Sequence, residues 1–135
     1  MNDNCFIDTN VLVYCYTNDE LAKRQQALKV ANNDNAFIST QVLTELANTF
    51  YRKFNISWQM IEAVLNEINS GFNVFVNNQR TINQALRIAE KHKYSLYDSL
   101  IISSALSCNC KTLYSEDMHD GQVIEDKLII RNPFK

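Results

Sequence analysis

A chain of 135 residues suits one hydrophobic core without disulfide or metal staples. Its 46% apolar and 21% charged residues are those of an ordinary globular protein, and one Pro and two Gly exclude collagen-like repeats, long flexible linkers and glycine-rich phosphate loops. The net charge of −2 is unusual for a nucleic-acid binder, and carboxylates gathered round a metal ion would account for it.

The opening Met1-Asn2-Asp3-Asn4 leads into no basic segment followed by a long apolar run. The apolar stretches Val11–Tyr16 and Leu100–Leu106 fall short of a membrane span. A cytoplasmic protein with no membrane partner is therefore expected. Cys5, Cys15, Cys108 and Cys110 read as free, mostly buried thiols, because Cys108 and Cys110 are too close for a paired zinc knuckle and no second pair lies nearby.

In chain order, residues 4–8 read as a short buried strand ending on Asp8. Val11–Tyr16 is either strand, from its β-branched residues, or a helical turn opened by Asp8 or Asn10. Glu20–Asn32 has helical spacing, and Ala36–Ser39 is a second strand. Ser39 or Thr40 caps a helix whose apolar face is Val42, Leu43, Leu46, Ala47 and Phe50. Ser57 opens another helix, stopped by Gly71. Phe72–Val76 is a third strand, Thr81–Lys93 a helix, and Leu96–Leu106 a buried helix with little charge. Lys111–Tyr114 and Leu128–Arg131 are the last strands, and Pro133 ends the fold. Such alternation predicts an α/β domain with a mainly parallel sheet covered on both faces.

Four acids share one kind of place in this order. Asp8 ends the first strand, Glu45 lies one turn into the helix after the second, Asp98 opens the apolar helix, and Asp117 follows the strand at 111–114. The carboxyl ends of parallel strands form the binding crevice of an open sheet, so the four can meet there. Gathered carboxylates repel one another unless a cation intervenes. A hard ion with oxygen ligands, Mg²⁺ or in its place Mn²⁺, meets that need and suits phosphodiester hydrolysis. Each acid also has a plainer reading: Asp8 and Asp98 as helix caps, Glu45 as a solvated residue, Asp117 as part of an acidic turn.

The segments Phe6-Ile7-Asp8-Thr9-Asn10-Val11-Leu12-Val13-Tyr14, Ser39-Thr40-Gln41-Val42-Leu43-Thr44-Glu45-Leu46, Tyr97-Asp98-Ser99-Leu100-Ile101-Ile102-Ser103-Ser104-Ala105 and Leu113-Tyr114-Ser115-Glu116-Asp117-Met118 resemble, in order, the four motifs of PIN-domain proteins. Any one is weak, but four in order are specific, and they extend over nearly the whole chain. The resemblance implies a single PIN domain over 1–135, a three-layer α/β/α sandwich with four to five central strands. The short chain further resembles the toxin half of VapBC-type toxin–antitoxin pairs. That implies a Mg²⁺-dependent endoribonuclease acting on RNA, with a cognate antitoxin and a homodimer as partners. The family roles fall on Asp8, Glu45, Asp98 and Asp117 as the catalytic acids, with Asp8, Asp98 and Asp117 as metal ligands. Asn10 and Ser115 match supporting polar positions. An aromatic residue usually follows the fourth acid by a few positions; His119 and Asp120 stand there instead, and Asp120 either adds a ligand or shapes the turn.

Other residues carry competing readings. His92 ends a helix, His119 sits in a polar turn, and a Ser–His–Asp triad through Ser99 or Ser115 lacks a nucleophile elbow. Arg52, Lys53, Arg80 and Arg87 are candidates for phosphate contacts, and Tyr51, Phe54 and Trp58 for a partner surface. A phosphatase of the haloacid-dehalogenase kind also places an Asp after its first strand, but wants an acid two residues later, where Asn10 stands. A receiver-like or PIN-like binding module without catalysis is the third alternative.

Overall fold

The computed structural model describes residues 3–135. Six strands form one sheet in the order β3-β2-β1-β4-β6-β5. They are β1 (Cys5–Ile7), β2 (Ala36–Ser39), β3 (Asn73–Phe75), β4 (Thr112–Tyr114), β5 (Val123–Ile124) and β6 (Leu128–Arg131). Every neighbouring pair is parallel except β5 with β6. The sixth strand is the two-residue β5, an antiparallel edge too short to leave a period-2 signal in the sequence.

All three residues of β1 are buried, so both faces of the sheet centre are covered. Phe6, Ile7, Leu113 and Ile130, on three adjacent strands, are fully enclosed. Removing each such side chain from water contributes about 1.5–3 kcal/mol.

The helices are α1 (Thr9–Leu12), α2 (Leu21–Ala31), α3 (Thr40–Phe54), α4 (Trp58–Gly71), α5 (Gln79–His92) and α6 (Leu96–Ser107). Over Val11–Tyr16 the helical alternative wins: α1 runs into a 3-10 turn at Val13–Tyr16. Asp8 decides this, because its carboxylate caps Thr9 N–H before β-branched propensity can act. Ser39, Ser57, Asn78 and Ser95 cap α3, α4, α5 and α6 in the same way. Each cap is worth about 1 kcal/mol. Gly71 is the last helical residue of α4, and the chain leaves through extended Phe72 rather than a left-handed glycine. The left-handed stops are instead Asn55 after α3 and Lys93 after α5. All four cysteines are free, and only Cys108 is partly exposed. Among the described residues no helix is long and apolar enough to cross a membrane.

The strand order reverses on either side of β1, so the crevice between the ends of β1 and β4 is the topological switch point. Asp8 follows β1, and Ser115 to Asp117 follow β4.

Candidate active site

Asp8 is buried at that switch point. Its backbone N–H donates to Tyr114 O at 3.0 Å, and Ser115 N–H donates to Arg131 O at 3.0 Å, which fixes the ends of β1, β4 and β6 together. One carboxylate oxygen of Asp8 accepts from Thr9 N–H at 2.7 Å, and the other accepts from the Ser115 hydroxyl at 2.9 Å. Capping and site chemistry thus coexist in one residue.

Glu45 lies one turn into α3, half-buried. The Thr9 hydroxyl donates to one of its oxygens, and the Gln41 amide donates to the other at 3.1 Å. The same amide donates to Tyr97 O at 3.1 Å and so ties α3 to the first turn of α6. Asp98 sits in that turn, where Ser95 is the cap and its hydroxyl also hydrogen-bonds the Asp98 carboxylate. Asp117 is exposed and accepts from the Asn10 amide at 3.0 Å. Asn10 Oδ1 in turn accepts from Glu116 N–H at 3.2 Å, so the side chain holds the post-β4 turn at two points.

Asp8, Glu45, Asp98 and Asp117 all line one open pocket of about 510 Å³. Among the described residues seven carboxylates line it, Glu116 among them paired with Lys23, and Lys53 is the one cation in the lining. Burial pushes the Asp8 carboxyl up to about 7, opposed by the hydrogen bonds from Ser115 and Thr9 and aided by the charges of Asp98 and Glu45. Burial also raises Asp98, with the charges of Asp117 and Glu45 adding to it. These raised proton affinities mark a place where negative charge lacks compensation and a cation would be welcome.

The donor set is all oxygen, which fits Mg²⁺ or Mn²⁺ rather than a soft metal. Among the described residues no three His, Cys, Asp or Glu side chains are grouped closely enough to enclose an ion by themselves. An ion here would therefore keep several waters, the usual state of protein-bound Mg²⁺.

Other acids in the neighbourhood have structural partners. Asp120 Oδ1 accepts from Asn132 N–H at 2.8 Å, which assigns it to the turn. Glu116 lines the pocket but is held by Lys23 and by the Tyr14 hydroxyl at 2.8 Å. The Ser115 hydroxyl donates to Asp8, Ser99 is fully buried, and neither hydroxyl is paired with a histidine, so no Ser–His–Asp relay is assembled. Sequence reasoning missed Thr9, Gln41 and Glu116. Thr9 and Gln41 each stand four residues or one from a singled-out acid, a spacing that could have found them.

The PIN domain model matches residues 5–119. No curated protein matches. Among solved structures, the fold is similar to a toxin–antitoxin complex from Klebsiella pneumoniae, with 21% identity, 96% of this chain and 98% of that chain covered, and a TM-score of 0.72. It is also similar to Mycobacterium tuberculosis VapC20, a toxin that cleaves the sarcin-ricin loop, with 17% identity, coverage of 84% and 90%, and a TM-score of 0.70. DNA-bound VapBC from Salmonella typhimurium is a third, with 16% identity, coverage of 98% and 99%, and a TM-score of 0.69. The four motifs, the parallel sheet and a family match over most of the sequence lead to one conclusion: this chain belongs to the PIN-domain family.

Proposed function

We propose that this protein is a Mg²⁺-dependent endoribonuclease, the toxin of a VapBC-type pair, acting in the cytoplasm as a single PIN domain. The observation that carries the reading is the convergence of Asp8, Glu45, Asp98 and Asp117 on one pocket, with no cation there to balance them except Lys53. The likeness of the fold to VapC20 and to toxin–antitoxin complexes supports it. A cognate antitoxin and a second copy of the chain are the partners this reading implies.

Asp8, Asp98 and Asp117 would hold the ion. When bound, a divalent ion supplies Lewis-acid polarisation of a phosphate and a more acidic water. The remaining work falls to the chain. Thr9 and Gln41 keep the Glu45 carboxylate oriented at the edge of the pocket it lines. That carboxylate can accept a proton from a water placed for in-line attack. Ser115 and Thr9 N–H fix both oxygens of Asp8. Asn10 aims Asp117.

The test is cleavage of structured RNA with Mg²⁺ and with chelator. Cleavage in Mg²⁺, abolished by chelator and restored by Mn²⁺, is expected. Metal-independent cleavage, or hydrolysis of a small phosphate ester with RNA left intact, would refute it.

A further inference from the structure

The acidic pocket poses an electrostatic problem for the proposed function. A substrate made of phosphates meets seven carboxylates there, Glu116 among them paired with Lys23, and one lysine in the lining. A bound dication relieves the scissile phosphate but not its neighbours, whose affinity must come from cations elsewhere.

Those cations gather on α5. Arg80, Arg87 and Lys91 stand at spacings of seven and four residues, with half-buried Gln84 between the arginines. At 3.6 residues per turn they fall within one narrow stripe, about 16 Å long. The buried face of α5, Thr81, Ala85 and Ile88, is turned about 100° away, so the stripe borders the core without entering it. Arg80 and Arg87 are exposed and make no ion pair among the described residues. Together with Lys127, from the β5–β6 hairpin, they line a second cleft of about 580 Å³, and Phe75 and Leu106 also line it. Its one acid, Glu125, is engaged with Lys91 at 2.9 Å across an exposed pair. Exposed pairs of that kind exchange partners at little cost.

The C-terminal end of the stripe is next in sequence to the helix that bears one of the pocket acids. Past Lys91 the chain turns at Lys93–Ser95 straight into the first turn of α6, which bears Asp98. Tyr94, in that turn, accepts from His119 N–H at 3.2 Å and donates to Gln122 at 2.6 Å. The end of α5 is thereby docked against the segment that follows Asp117.

We propose that Arg80, Arg87 and Lys91, with Lys127 across the cleft, form a track for the phosphate backbone of single-stranded RNA running to the acidic pocket. The inference rests on the ribonuclease reading. A row of cations along one helix face suits a ligand that carries a charge on every unit, and a single strand can follow such a row. The cations of the track contact phosphates, which carry no sequence information, so these residues supply affinity and direction rather than sequence choice.

The experiment is binding of a labelled single-stranded RNA, long enough to reach from the pocket to Arg80, followed by anisotropy over a range of salt in chelator. The proteins are the wild type, the double variant Arg80→Gln/Arg87→Gln, and Arg80→Lys/Arg87→Lys, with melting curves for each. Two lost phosphate contacts should lower the slope of log affinity against log salt by about 1.4, which is about sevenfold less change in Kd over a fourfold change in salt. The lysine variant should keep the wild-type slope. A glutamine variant that matches the wild type, or a wild type that cleaves RNA in Mg²⁺ yet shows no salt-dependent binding in chelator, overturns the track. A wild type that neither binds nor cleaves RNA removes the ribonuclease reading itself.

Discussion

The acids of the pocket and the acids of the β5–β6 region share residue types but not circumstances. Around the hairpin two carboxylates have partners that explain them: Asp120 accepts from Asn132 N–H, and Glu125 meets Lys91, which holds its carboxyl below the usual range. In the pocket, Asp8 and Asp98 have hydrogen-bond donors at most and no cation, and both carboxyls are raised. Acids placed for stability are neutralised within the fold. Acids left uncompensated at a switch point cost stability and therefore need a ligand to justify them.

The sharpest way to break this contrast is Asp8→Asn or Asp98→Asn. Removing one charge from the site should reduce RNA cleavage at least about a hundredfold. The fold should hold, because Asn at position 8 keeps an acceptor for Thr9 N–H and its amide can donate to the Ser115 oxygen. Full activity in either variant would place the acids on the structural side of the comparison, and an unfolded Asp8→Asn protein would reduce Asp8 to a helix cap.

The pH dependence of stability has a definite sign. The ordinary aspartate value is about 4, and Asp8 in the fold stands at about 7. Between those values the native state binds more protons than the unfolded chain, so its stability falls as pH rises through the window. Asp98 adds an effect of the same sign. In metal-free solution the melting temperature of Asp8→Asn should overtake that of the wild type as pH rises from about 4 to 7. Parallel curves for the two proteins would show that Asp8 is not held protonated by its surroundings.

On the hairpin side, Asp120→Ala should cost about 1 kcal/mol through loss of the Asn132 N–H acceptor, with cleavage near the wild-type rate. Loss of activity comparable to Asp8→Asn would return Asp120 to the ligand set. Smallest of all, Lys91→Ala should change stability by at most about 0.5 kcal/mol, since both members of its pair are well exposed. Urea denaturation resolves both effects.

The same contrast explains what was legible in the sequence. Caps and apolar stripes are local, so Ser39, Ser57 and the α3 face could be read directly. The acids were found because each follows a strand or lies near the start of a helix, a position that the parallel sheet converts into proximity. The roles of neighbouring polar residues were not legible, since they depend on long-range partners. Thr9 meets Glu45 thirty-six residues away, and Asn10 meets Asp117 across 107. The acid turn at 116–120 looked uniform in sequence, and only Lys23, Tyr14 and Asn132 separate its structural members from Asp117. Strand β5 escaped because two residues at a sheet edge carry no pattern.

The most direct test of the central claim is a calorimetric titration of the metal-free protein with Mg²⁺ at neutral pH, in two buffers of different ionisation enthalpy. Binding should displace the proton that burial holds on Asp8, so the apparent heats should differ between buffers, and Asp8→Asn should lose most of both binding and proton release. Asp120→Ala should titrate like the wild type. Mg²⁺ binding of equal strength in the wild type and Asp8→Asn, or no binding to the wild type, would contradict the account.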